Sequence, residues 1–143
     1  MAYSAFQSLH PASVGTPLPR PLVTLSCGFP SPAQDYLEPA LDLNELLIKH
    51  PAATFFGRVQ GDSMREAQIF DGDVLIVDRA ITPLHNHIVL AVLQGEFTVK
   101  RLYKQGNKVA LIPANPNFKP LNIDAESDFS VWGVVTYIIH QAR

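Results

Sequence analysis

The sequence predicts a mainly β, antiparallel, barrel-like domain with one short helix, preceded by an extended N-terminal arm. Three observations predict it. From Thr54 onward, β-branched, aromatic and aliphatic runs alternate with turn residues. The first 34 residues hold six of the twelve prolines and a single charge, Arg20. Only the stretch from Asp42 to His50 carries helix punctuation. With 143 residues, 47% of them apolar, the chain can bury one core.

The arm favours extended or polyproline-like backbone, because proline fixes φ and donates no N–H. Within it the apolar patch Leu22-Val23-Thr24-Leu25 suits an added strand along a groove or sheet edge. The helix follows. Asp42 is its N-cap, Glu45 completes a capping-box-like pair and Pro51 stops it, while Leu43, Leu46, Leu47 and His50 fall at the spacing of one packed side. His50 reads as a capping or surface residue.

Strands come next. Thr54 to Val59 leads into the tight turn Gly61-Asp62-Ser63-Met64, and Asp71-Gly72-Asp73 turns into Val74 to Val77, an apolar run suited to cover on both faces. Ile88 to Leu93 and Glu96 to Tyr103 flank Gln94-Gly95 and make a hairpin. Lys108 to Ile112 is a further strand, Pro113 to Pro120 a loop, and Phe129 to Ile139 a long last strand in which Gly133 marks a bend or bulge.

Charge and composition exclude several functions. A formal net charge of -2, from 11 basic and 13 acidic residues, gives no footprint for gripping phosphates, so direct sequence-specific DNA binding is not expected. The single cysteine cannot form an internal disulfide, which suits a reducing cytoplasm, and one Cys among scattered His offers no zinc spacing. No stretch has the length of a membrane span or the pattern of a leader, so no membrane partner is expected.

Ser63 is the candidate nucleophile, since a serine after Gly-Asp leaves both its hydroxyl and its N–H open to an incoming carbonyl. The same residues also make an ordinary turn. Lys100, inside Phe97-Thr98-Val99-Lys100, is the candidate base. An exposed lysine is neutral only about one part in a thousand at pH 7.4, whereas burial lowers its pKa to where the amine accepts a serine proton. Alternation groups Lys100 with Thr98 and Leu102 and leaves its burial open.

Among His10, His50, His85, His87 and His140 none has the local signature of a Ser-His-Asp triad. His85 and His87 share a face, yet no third metal ligand accompanies them. No metal or cofactor is expected. Cys27 lacks a setting that lowers a thiol pKa, so it is no nucleophile. The bond from Cys27 to Gly28 is instead an open peptide in an extended, proline-rich segment, a good scissile site, and residues 29 to 62 are long enough to return it to Ser63 of the same chain or a neighbour.

These blocks resemble the LexA-like, self-cleaving Ser-Lys peptidases, in the UmuD/MucA group of SOS mutagenesis proteins. The likeness rests on Cys27-Gly28-Phe29-Pro30-Ser31-Pro32-Ala33, Asp42 to Ile48, Gly61-Asp62-Ser63-Met64, Asp71 to Asp78 and Glu96 to Arg101, in that order. It implies the antiparallel β fold shared by LexA and signal peptidase, with Ser63 as nucleophile, Lys100 as general base and Cys27-Gly28 as the bond the protein cuts in itself. The N–H groups of Asp62 and Ser63 would hold the oxyanion. The expected division is an arm, 1–27, removed by self-cleavage, a linker, 28–41, and a peptidase and dimerisation domain, 42–143.

The resemblance further implies a homodimer, stimulation by RecA filaments on single-stranded DNA, service to a Y-family, UmuC-like DNA polymerase subunit, and heterodimers of cut and uncut chains. Arg65-Glu66-Ala67-Gln68 depart from the small residues of relatives at the cleft rim. The arm is too short for the helix-turn-helix domain of a LexA-type repressor. A signal peptidase relative would need a membrane anchor. The alternative reading is a non-catalytic assembly or regulatory subunit of a polymerase complex, in which the Ser-Lys pair is structural.

Overall fold

Val74–Asp78 and Ile88–Leu93 are the most apolar runs of the chain, and the fold places them on either side of its last strand, Phe129–Ile139. The structure, a computed structural model, describes residues 5–11, 22–23, 37–38 and 42–142. In chain order its strands are β1 (Ala5–Pro11), β2 (Leu22–Val23), β3 (Leu37–Glu38), β4 (Thr54–Gln60), β5 (Val74–Asp78), β6 (Ile88–Leu93), β7 (Glu96–Gln105), β8 (Lys108–Ile112), β9 (Leu121–Ile123) and β10 (Phe129–Ile139), with one helix, α1 (Leu43–Leu47). Eight strands form one antiparallel sheet in the order β1-β4-β5-β10-β6-β7-β8-β9, and β2 pairs with β3 separately. The mainly β architecture expected from the sequence is the one observed.

β10 joins the two halves of the sheet. Its first half, Phe129 to Val134, pairs with β6, and its second half, Val134 to Ile139, pairs with β5. Register shifts between Val131 and Gly133 and between Val135 and Tyr137 divide the two pairings. Such irregularities increase local twist, so one strand serves two neighbours and curls the sheet. Two buried clusters follow from the curl. One holds Val59, Met64, Ile69, Leu75, Val77, Leu90 and Val99; the other holds Val89, Ala91, Leu102, Leu111 and Val134. Period-2 alternation sends Val89 and Ala91 to one cluster and Leu90 to the other, as a strand covered on both faces requires.

Both ends of β5 are clamped. Asp73 and Asp78 are buried; each accepts a backbone N–H, from Phe70 and Ala80 respectively. Each also meets an imidazole: His140 Nδ1 lies 2.6 Å from Asp73 and His50 Nδ1 2.5 Å from Asp78. Buried carboxylates are thus matched by hydrogen bonds instead of being left bare. His50 is a half-exposed residue, as its position suggested, and it also carries a tertiary contact.

Three details differ from the sequence expectation. The helix ends at Leu47, and none of its five residues is buried, although Asp42 caps the N–H of Asn44 as expected. Pro51 opens a short 3-10 turn, Pro51–Ala53, and the residue before a proline is driven out of the α region, so the helix stops well before it. Leu43 and Leu46 remain 61% and 40% exposed, so the expected packed side is not realised. Two further strands appear: β1 lies within the expected arm, and β9 follows directly on the loop Pro113 to Pro120, in a stretch to which the sequence assigns no element. Both sit at the ends of the sheet order and add to it through backbone pairing, which leaves little trace in side-chain pattern. The patch at Leu22 does form a strand, paired with Leu37–Glu38.

Gly133 meets the expectation of a bulge for a specific reason. A Cβ there would stand 2.5 Å from Val77 Cγ1 and 3.5 Å from the Asp78 carbonyl oxygen. Gly133→Ala is therefore expected to lower stability by about 1–3 kcal/mol through overpacking between β10 and β5. Urea unfolding would show a lower midpoint at an unchanged m-value.

Candidate active site

The turn after β4 is built around a positive φ. Gly61 has φ 99°, open to glycine at no steric cost, and its N–H donates to Asp71 Oδ1 at 2.9 Å. The chain then drops Ser63 and Met64 into the interior, both fully buried, before rising into a 3-10 turn, Arg65–Ala67. Met64 belongs to the first apolar cluster and anchors the turn by side-chain burial. Arg65 and Glu66 are exposed, while Ala67 packs against the core. The charged departure at the rim thus stays at the surface.

Lys100 reaches this turn through the sheet. β7 pairs with β8, and the chain leaving β8 runs alongside residues 62–66: the Ala114 N–H donates to the Ser63 carbonyl at 2.8 Å, and the Glu66 N–H donates to the Ala114 carbonyl at 2.7 Å. This places Lys100 Nζ 2.9 Å from Ser63 Oγ, although the two lie 37 positions apart in sequence. Lys100 is 2% exposed, and Thr98 and Val99 beside it are buried as well. The ambiguity left by alternation is resolved because β7 is covered on both faces here.

The surroundings of the amine favour its neutral form. Burial lowers its pKa from 10.5 to about 8. At that value about a fifth of the amine is neutral at pH 7.4. Nζ also donates to Thr98 Oγ1 at 2.8 Å and to the Val99 carbonyl at 3.1 Å. A neutral amine has two N–H bonds and one lone pair. With Thr98 and Val99 accepting the two hydrogens, the lone pair is left toward the Ser63 hydroxyl. The arrangement can take a proton from a serine oxygen without a histidine.

The other expected residues are placed as follows. Asp62 is exposed, next to Ser63 on the turn. Cys27 and Gly28 lie outside the described residues. His50 and His140 are engaged with Asp78 and Asp73 at the ends of β5. The Nδ1 atoms of His85 and His87 accept the Lys104 and Leu84 backbone N–H groups. Among the described residues no three His, Cys, Asp or Glu side chains gather as metal ligands, and no helix is long and apolar enough to cross a membrane. Sequence reasoning missed Thr98 and Asn115. The second is buried, and its Nδ2 donates to the Asp62 carbonyl at 2.9 Å. Thr98, two residues before Lys100, shares its face of the strand and was open to detection; Asn115, in a loop far along the chain, was not.

A family model, Peptidase S24-like, matches residues 21–136. The chain belongs to the S24 peptidase family, a family of serine peptidases. It is 48% identical over 125 residues to protein SamA of Salmonella typhimurium, covering 86% of each chain. It is 46% identical over 121 residues to protein MucA of Escherichia coli, covering 84% of this chain and 82% of that one. Against protein ImpA of Shigella flexneri the identity is 48% over 128 residues, covering 87% and 86%. The UmuD/MucA grouping drawn from the sequence blocks is therefore established across most of the chain.

Burial of Lys100 has a measurable cost. In the folded state Lys100 gives up its proton above about 8, whereas in the unfolded chain it holds the proton up to 10.5. The penalty is full below pH 8 and fades as pH rises toward 10.5, so this group makes the protein relatively more stable at alkaline pH. In Lys100→Met the penalty is absent at every pH. Between pH 7 and 10.5 the parent is expected to gain about 3 kcal/mol relative to that variant. Denaturant unfolding of both proteins across this range checks the sign and the size.

Proposed function

We propose that this protein is an SOS-response accessory factor that cuts its own Cys27-Gly28 bond, with Ser63 as nucleophile and Lys100 as general base. The observation that carries the reading is the buried 2.9 Å contact between Lys100 Nζ and Ser63 Oγ in a chain of the S24 peptidase family. Neutral Lys100 takes the hydroxyl proton as Ser63 Oγ attacks the Cys27 carbonyl carbon, and the resulting oxyanion is held by the N–H groups of Ser63 and Asp62. Lys100 then gives its proton to the departing Gly28 amine. Water, deprotonated by Lys100, hydrolyses the ester on Ser63 and releases the 27-residue arm. Each chain supplies one such bond, so the reaction is a switch.

The proposed organisation is an arm, 1–27, a linker, 28–41, and a peptidase and dimerisation domain, 42–143. Cleavage there would sever β1 and β2 from the domain covalently. Since β1 borders β4 and β2 borders β3, the cut chain would hold those strands only by pairing. A tethered strand has a high effective concentration that is lost on cutting. The likeness to MucA and ImpA supports the partners expected of this group: a second copy of the chain, a RecA filament on single-stranded DNA that stimulates cleavage, and a Y-family DNA polymerase subunit served by the shortened dimer. A dimer of one cut and one uncut chain is a natural intermediate. The setting is the cytoplasm, without cofactor or metal.

Incubation of the purified protein from pH 6 to 10 is expected to yield a fragment beginning at Gly28. The first-order rate should rise about tenfold per pH unit below about 8, where Lys100 gives up its proton, and level off above it. Ser63→Ala and Lys100→Ala should each lower the rate by about a thousandfold or more. Parent-like cutting by both variants would overturn the assignment. A single uncut species after DNA damage, with function kept in Ser63→Ala, would favour a structural role for the pair.

A further inference from the structure

Asn115 is a polar side chain only 4% exposed, and both ends of its carboxamide are committed. Nδ2 donates to the Asp62 carbonyl at 2.9 Å, and Oδ1 accepts the Asn117 N–H at 3.0 Å. Its neighbour Ala114 is bonded to Ser63 and Glu66 through its own backbone. Two consecutive residues of the loop after β8 thus grip the backbone of the Ser63 turn at three points. None of these bonds touches Lys100, which is held by Thr98, Val99 and Ser63.

A peptide unit is planar and trans, so the carbonyl of one residue and the N–H of the next point in opposite directions. Holding the Asp62 carbonyl against Asn115 therefore fixes the Ser63 N–H on the opposite side of that peptide. The other bond to this carbonyl, from the Arg65 N–H within the same turn, is longer, at 3.2 Å, and leaves the peptide plane free to tilt without Asn115. A donor to a developing oxyanion has to be aimed before the charge appears.

We infer that Asn115 is a positioning residue for acyl transfer: its carboxamide orients the Asp62-Ser63 peptide so that the Ser63 N–H meets the oxyanion. The inference rests on the reading of Ser63 as nucleophile. It assigns the loop after β8 a role in the tetrahedral intermediate, separate from activation of the serine by Lys100. The two roles separate in a pH profile. Loss of oxyanion alignment lowers the plateau rate, whereas a disturbed Lys100 moves the midpoint.

The test uses the full chain and two variants. Asn115→Asp keeps the size of the side chain and the oxygen that accepts from Asn117, but at alkaline pH it has no hydrogen to donate to Asp62. Asn115→Ala removes both bonds. Self-cleavage rates from pH 6 to 10 are compared with the parent and with Ser63→Ala, and unfolding transitions establish that each variant is folded. Removing an entire oxyanion donor costs about a hundred- to a thousandfold in rate, so misaligning one is expected to lower the plateau about ten- to a hundredfold in both variants, with the midpoint unmoved in Asn115→Ala and raised in Asn115→Asp only by the added carboxylate. A plateau equal to the parent's would overturn the inference, and so would a displaced midpoint at a normal plateau in Asn115→Ala. Failure of both variants to fold would make Asn115 a determinant of the fold and overturn it too. Parent-like cleavage in Ser63→Ala would instead sink the nucleophile reading, an outcome distinct from all of these.

Discussion

An ammonium group among apolar side chains is expensive, and the burial of Lys100 within the sheet brings its neutral amine within reach near neutral pH. The side chain is almost wholly buried on β7, and desolvation brings its pKa to about 8. Thr98 Oγ1 and the Val99 carbonyl then give the amine two acceptors, which leaves its remaining valence to Ser63. The same burial burdens the fold near neutral pH. Strained or desolvated sites of this kind are tolerated where the surrounding structure holds them firmly.

The rest of the sheet supplies that firmness. β10 ties both halves together through its two bulges, and the Asp73-His140 and Asp78-His50 contacts clamp the two ends of β5. Met64 is packed in the core immediately after Ser63, so the turn cannot lift without opening a cavity. On the other side, the chain leaving β8 binds the turn through Ala114 and Asn115. Ser63 therefore sits on a loop yet is fixed from two sides, by the buried Met64 and by the chain leaving β8.

Much of this was legible in residue order. Lys108–Ile112 and Phe129–Ile139 have the bounds that their apolar runs suggested, and the Gln94-Gly95 turn shows positive φ at both positions, as a two-residue hairpin demands. Apolar spacing carries the expected helix to His50 because it indicates a face without saying what covers it, whereas α1 ends at Leu47 with no buried residue. β1 and β9 were invisible because strands at the ends of a sheet need only backbone partners.

By itself, then, the sequence determined the local chemistry: a slim Gly-Asp-Ser turn, a lysine within an apolar strand, a proline-rich arm, and a succession of strands whose side chains alternate or run continuously apolar. These depend on neighbours along the chain. Only the tertiary structure decided whether Lys100 is buried, whether its amine reaches Ser63, 37 positions away in sequence, and which distant side chain holds the Asp62 carbonyl. Alternation on β7 left Lys100 equally able to face water. What removed the water was cover on both faces of β7, a property of packing that no single strand encodes.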